Sequence, residues 1–198
     1  MAILTPIGNC GRSLGAIGRG TAFGFVIALG NCFAAGLSDA PIDEYQVKAA
    51  FIYNFVKFVE WPTGTFDRSN EPIVICVLGQ DPFGRSLEDI VNGRAIDGRP
   101  LIVRDISNPK QAAGCHVLFI SLSRDNHSPH ASFDMTTPGV LTIGEAGAPG
   151  AVGVVIAFRL EGGKVRFEID LEAAERARVR ISSRLLSLGH IVDSNRKQ

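Results

Sequence analysis

Ile73-Val74-Ile75-Cys76-Val77-Leu78-Gly79 is an unbroken apolar run, rich in β-branched residues and closed by glycine. A strand with one wet face alternates apolar and polar side chains, whereas a strand buried on both faces does not. The run therefore predicts a central strand over Ile73–Leu78. Downstream, Gly79–Gly84 (GQDPFG) reads as a turn and Ser86–Val91 as a short helix with Leu87, Ile90 and Val91 on one side. Leu101–Ile106, Val117–Ser121 and Val140–Ile143 read as further strands, and Asn92-Gly93, Asp97-Gly98 and Asn108-Pro109 as breaks. Val152–Phe158 and Lys164–Ile169 flank Glu161-Gly162-Gly163, the pattern of a hairpin. Val165, Phe167 and Ile169 alternate with charged residues, so that strand has one wet face. Leu171–Leu188 predicts a helix with a weak point near Val179, with Glu172 and Arg176 at i,i+4. Ile181, Leu185 and Leu188 line one face of it, and Gly189 is placed as its stop. Strands alternating with short helices indicate an α/β three-layer sandwich. Its sheet is mostly parallel, flavodoxin- or Rossmann-like, with an antiparallel edge hairpin. Ser107–Gly114 is short for a parallel crossover, which usually takes at least about 10–12 residues. If the sheet order is second–first–third, Cys76 and Cys115 fall on neighbouring strands.

Upstream, Tyr45–Pro62 (YQVKAAFIYNFVKFVEWP) carries both tyrosines and the only tryptophan. Val47, Ala50, Phe51, Phe55 and Phe58 fall in one arc at helical spacing. Ile52, Val56 and Val59 form a second apolar strip, expected to meet another helix, a second subunit or a partner. Asp43 and Gln46 suit a capping box, and Pro62 predicts the helix end at Trp61. Asn54 lies inside the main stripe, where a hydrogen bond to nearby backbone is expected.

The length suits one domain. Lys and Arg number 20 against 20 Asp and Glu, so the balance offers no broad electrostatic case for nucleic acid. Residues 1–36 have another character. They hold Arg12 and Arg19 but no Asp, Glu or Lys, then the apolar Ala22–Leu29 and the small residues Ala34, Ala35 and Gly36. This is the plan of a cleaved signal peptide over 1–36, leaving 37–198 as one α/β domain. An uncleaved membrane anchor is the alternative. Cleavage would remove Cys10 and Cys32 and leave Cys76 and Cys115 in an oxidising compartment. An even pair there reads as one disulfide, two buried free thiols being the other possibility.

Chemistry-bearing patterns are sparse. Gly79–Gly84 follows a buried strand but is neither a Walker loop nor GxGxxG, and Asp81 would repel phosphate. His127 and His130 lie three apart in a polar loop, too few ligands for zinc, and His116 opens an apolar strand. Ser121 and Ser123 have no GxSxG context. No catalytic residue, metal or cofactor is therefore expected. The cluster Glu172, Glu175, Arg176, Arg178 and Arg180 is either a solvated helix face or a partner surface.

Four blocks in order resemble the YfiR family of small periplasmic regulators. They are Tyr45–Pro62, Ile73–Gly79 with Asp81-Pro82-Phe83-Gly84, Cys115–Ser121 (CHVLFIS), and Lys164–Leu188. The resemblance covers residues 45 to about 192. It implies a periplasmic α/β protein that binds the periplasmic sensor domain of a membrane-bound diguanylate cyclase and restrains it, lowering the cyclic di-GMP that governs biofilm and motility. The position of Cys76 and Cys115 also matches a disulfide of that family. A second, closely spaced pair found in some relatives is absent here. The expected partner or homodimer surface comprises Ile52, Val56, Val59, Glu168, Glu172, Glu175 and Arg176. From another class, a periplasmic small-ligand-binding or transport-accessory protein would show a closed pocket at the carboxyl ends of the strands.

Overall fold

The computed structural model describes residues 43–121, 137–147 and 153–192. The proposed signal peptide, His127, His130 and Ser123 lie outside the described residues. In chain order the elements are α1 (Glu44–Lys57), β1 (Val59–Glu60), β2 (Ile73–Gly79), α2 (Ser86–Val91), β3 (Ala95–Ile96), β4 (Arg99–Ile106) and β5 (Val117–Ser121). They continue with β6 (Leu141–Glu145), β7 (Ile156–Glu161), β8 (Lys164–Asp170), α3 (Leu171–Arg176), β9 (Arg180–Ile181), α4 (Ser183–Leu186) and β10 (His190–Val192).

The eight-stranded sheet has the order β10-β8-β7-β6-β5-β2-β4-β3. β4, β2, β5, β6 and β7 run parallel, and β8 turns back antiparallel on β7. β10 lies parallel to β8, and β3 lies antiparallel to β4. The second–first–third order around β2 is thus the flavodoxin-like one. It resolves the short connection after β4. That chain crosses behind β2 through a 3-10 turn, Pro109–Ala112, capped by Asn108 with Gln111 bonding back. The expected α/β sandwich with its antiparallel hairpin is the observed architecture.

β2 is buried on both faces, as its composition requires. Ile73, Ile75 and Val77 join the larger core, with α1, α2, α3 and α4 packed over it. Val74, Cys76 and Leu78 face a smaller core shared with Ile106, Leu118, Ile120, Val140 and Val154. In the larger core Phe55 and Phe167 meet edge to face at 4.8 Å, with Phe158 beside Phe55 at 5.7 Å.

Several expectations are corrected. Residues 171–188 are not one helix. α3 stops at Arg176, and Arg178 turns the chain with φ of 55°. β9 then pairs antiparallel with β1, joining Val59 to Ile181 and Glu60 to Arg180. That long-range pairing outcompetes the local helical preference of the segment. α1 ends at Lys57 rather than Trp61 for the same reason, since Ser182 N–H donates to the Phe58 carbonyl at 2.9 Å. Asp43 caps α1 through the Tyr45 N–H at 3.1 Å, and not in a box with Gln46. Asn54 is exposed and donates to the Ala50 carbonyl at 2.9 Å. β7 starts at Ile156. Gly189 precedes β10, where a Cβ would lie 2.5 Å from the Phe167 ring, so close packing demands glycine there as much as helix termination does.

Candidate functional site

The two described cysteines form a disulfide. Cys76 lies mid-strand in β2 and Cys115 just before β5, with Cα atoms 5.9 Å apart. The strand order brings them together, and both are buried in the smaller core. Closing 39 residues of chain stabilises the fold by about 4 kcal/mol in the chain-entropy picture. Such a bond fits an oxidising compartment.

Next to Cys115, His116 is locked between strands. Its Nδ1 accepts the Val74 N–H at 3.1 Å, and the ring also bonds the Thr65 backbone carbonyl. Phe66 stacks on the ring at 4.5 Å, and the Arg99 guanidinium covers the far face of this stack, 3.9 Å from Phe66. Burial pushes the His116 pKa below its ordinary value, with the Glu71 carboxylate opposing the shift. One ring nitrogen accepts and the other donates, which is the neutral tautomer. His116 is therefore the satisfied interior residue that its place in an apolar strand suggests.

A charged network at the start of α1 lies outside the expected site residues. Lys48 is only 4% exposed. Its Nζ contacts Glu145 Oε1 at 2.6 Å and Glu44 Oε1 at 2.5 Å, and lies 4.4 Å from the Tyr45 ring centre. The Tyr45 hydroxyl donates to the same Glu145 oxygen at 2.9 Å. Burial, then this hydrogen bond, pushes the Tyr45 phenol well above its usual pKa. The network ties α1 to the carboxyl end of β6. The signal was present in the sequence: Tyr45, Lys48, Ala49, Ile52, Phe55, Val56 and Val59 form one helical stripe if a lysine is admitted to it.

The predicted surface residues divide into two groups. Ile52, Val56 and Val59 are 0%, 1% and 7% exposed within the chain's own core. They cannot serve a partner or a homodimer, because α1 turns this strip toward the sheet. Glu168 lies on the opposite sheet face and is paired with Arg159 of β7. Glu172 and Arg176 pair along α3 at 3.7 Å, and Glu175 is exposed beside them. Glu168 is thus tied to β7 and Glu172 to its own helix, so the acidic residues belong to two features, one on β8 and one on α3.

Cavities open on the described residues, two of them sizeable. One, about 480 Å³, lies at the β8–β10 edge between Phe51, Arg166, Phe167 and His190. Leu188 beside it is 69% exposed. The other, about 600 Å³, lies at the amino ends of β5 and β6. Neither lies over the switch between β2 and β5, where flavodoxin-like sheets bind ligands. There Gly79 packs so tightly on Ser121 that a Cβ would stand 2.2 Å from the Ser121 carbonyl oxygen. Among the described residues no buried side-chain nitrogen or oxygen lacks a partner. No group of three or more His, Cys, Asp or Glu there could hold a metal ion, and no helix is long and apolar enough to cross a membrane. Over residues 45–190, with the fold, the disulfide and the terminal hairpin all inside the match, the chain fits the YfiR/HmsC-like family model, and it belongs to that family.

Proposed function

We propose that the protein is a periplasmic repressor, exported by its cleaved N-terminal segment, that binds the periplasmic sensor domain of an inner-membrane diguanylate cyclase and lowers cyclic di-GMP. The observation that carries this reading is membership of the YfiR/HmsC-like family, which is regulatory rather than catalytic. The disulfide supports export. Repression requires tighter binding to the inactive cyclase than to the active one, since equal affinity shifts nothing. The proposed contact surface is the outer side of α3, with Glu172, Glu175 and Arg176, and Glu168 on the other sheet face is a separate second contact. Leu171 adds exposed apolar area next to these charges. The buried strip on α1 has no part in it.

Co-purification of the protein with the cyclase's sensor domain tests this placement. Glu175→Arg reverses an exposed charge outside the core, and about tenfold weaker binding is expected. Glu168→Arg also breaks the Arg159 pair, so it is judged only after its unfolding midpoint is checked. Capture of the sensor domain by Glu175→Arg at wild-type strength would move the surface away from α3.

A further inference from the structure

Residues 61–72 join β1 to β2 and pack against the amino ends of β4 and β5. Two side chains hold this loop. Arg99 of β4 donates to the Arg68 carbonyl at 2.7 Å and to the Glu71 carbonyl at 3.2 Å, and its guanidinium covers the Phe66 ring. His116, just before β5, makes the other set of contacts. Its Nδ1 accepts the Val74 N–H, its ring bonds the Thr65 backbone carbonyl, and Phe66 stacks on it with 18° between the planes. The Trp61 indole N–H donates to the His116 carbonyl at 3.4 Å, and Trp61 meets Phe66 edge to face at 5.8 Å.

This arrangement accepts one protonation state. The Val74 N–H can only donate, so Nδ1 must carry a lone pair. A proton on Nδ1 would set two buried donors against each other. The ring relieves that conflict by moving away from Val74, and Thr65 and Phe66 of the loop are bonded to it and stacked on it. The charges around the ring are few. Glu71 of the loop favours its protonation and Arg99 of β4 opposes it. β2 carries no ionisable side chain apart from the bridged Cys76, and β6 carries Glu145 only at its far end. Asp67, Arg68 and Arg178 are exposed.

We propose that residues 61–72 form a pH-operated latch: protonation of His116 releases Trp61 and Phe66 from the sheet and bares an aromatic surface, while the rest of the fold stays intact. The latch does not rest on the cyclase reading. A released imidazole takes up a proton near the ordinary 6.5, whereas the closed one, desolvated by burial, does so only at lower pH. The latch is therefore closed above pH 6.5 and opens as pH falls below it. Glu71 is no rival trigger there. Its carboxylate accepts the Asp67 and Arg68 N–H groups, which hold its pKa below the ordinary 4.5 and keep it ionised.

Trp61 is the only tryptophan of the chain, so its emission reads the loop directly. The purified protein is titrated from about pH 7.5 to about pH 5. Trp61 emission is expected to shift to longer wavelength with a midpoint below 6.5, while far-UV circular dichroism stays constant. His116→Asn offers a neutral acceptor to the Val74 N–H and is expected to abolish the shift. The wild type supplies a second readout that does not depend on that variant folding. In NMR the Trp61 indole N–H and the His116 ring protons should titrate with one shared midpoint. An emission shift of wild-type size in His116→Asn would overturn the proposal. So would constant Trp61 emission over this range, separate midpoints for Trp61 and His116, or loss of far-UV circular dichroism together with the emission shift.

Discussion

Gly79, His116 and Lys48 each show one residue held by a specific physical constraint. Gly79 has φ of 101° and its Cβ position is occupied by the Ser121 carbonyl oxygen. Gly79→Ala combines backbone strain with a backbone clash, and a loss of about 3 kcal/mol or more is expected in urea unfolding. His116 is neutral when folded, with its pKa held below the ordinary 6.5. The unfolded chain takes up that proton first, so stability is full above pH 6.5 and declines as pH falls through and below that value. The midpoint of unfolding should fall between pH 7 and pH 5, and His116→Asn should flatten that slope. A slope unchanged in His116→Asn would assign the effect to other groups. Lys48 is buried, but Glu44 and Glu145 are each more than a third exposed and can rehydrate. Lys48→Met keeps the stem and should cost less than about 1 kcal/mol, whereas Lys48→Glu sets a third carboxylate against two and should cost about 3 kcal/mol or more.

At the scale of elements, α1 and the bridge between β2 and β5 make separable predictions. Ile52→Ala removes side-chain volume from a fully buried site and should destabilise by about 2–5 kcal/mol without changing the oligomeric state. Glu172→Ala, on the exposed side of α3, should change stability by no more than about 0.5 kcal/mol. If Ile52→Ala instead altered oligomeric state in sedimentation while leaving the unfolding midpoint fixed, the strip would be an interface after all. Cys76→Ser should lower stability by about 4 kcal/mol, and reductant should lower the wild-type midpoint but not that of the variant. The sequence showed β2, α2, β5 and the β7–β8 hairpin because each carries its own local pattern: continuous apolar residues, a short amphipathic stretch, or a glycine turn between alternating strands. It did not show β9, β10 or the end of α1. Those are set by partners more than a hundred residues away for β1 and β9, or across the sheet for β8 and β10, and no local period reports them. The stripe on α1 was misread for a different reason. Lys48 lies in its centre, and a charged residue was excluded from a core that in fact accommodates it through Glu145.

For the whole molecule, strand order does what no single element does. It places Cys76 beside Cys115 and sets Gly79 against Ser121 at the ends of β2 and β5. The acidic residues expected to form one surface are spread over β8 and α3, which only the folded chain reveals. The family was legible because its four blocks survive in order along the sequence, while the surface that meets a partner depends on three-dimensional proximity. The central claim is that this fold serves repression of a cyclase, and cellular cyclic di-GMP tests it most directly. Deleting the gene in its host should raise cyclic di-GMP, and restoring the wild-type gene should return it to the starting level. Unchanged cyclic di-GMP on deletion, across several growth conditions, would contradict the claim.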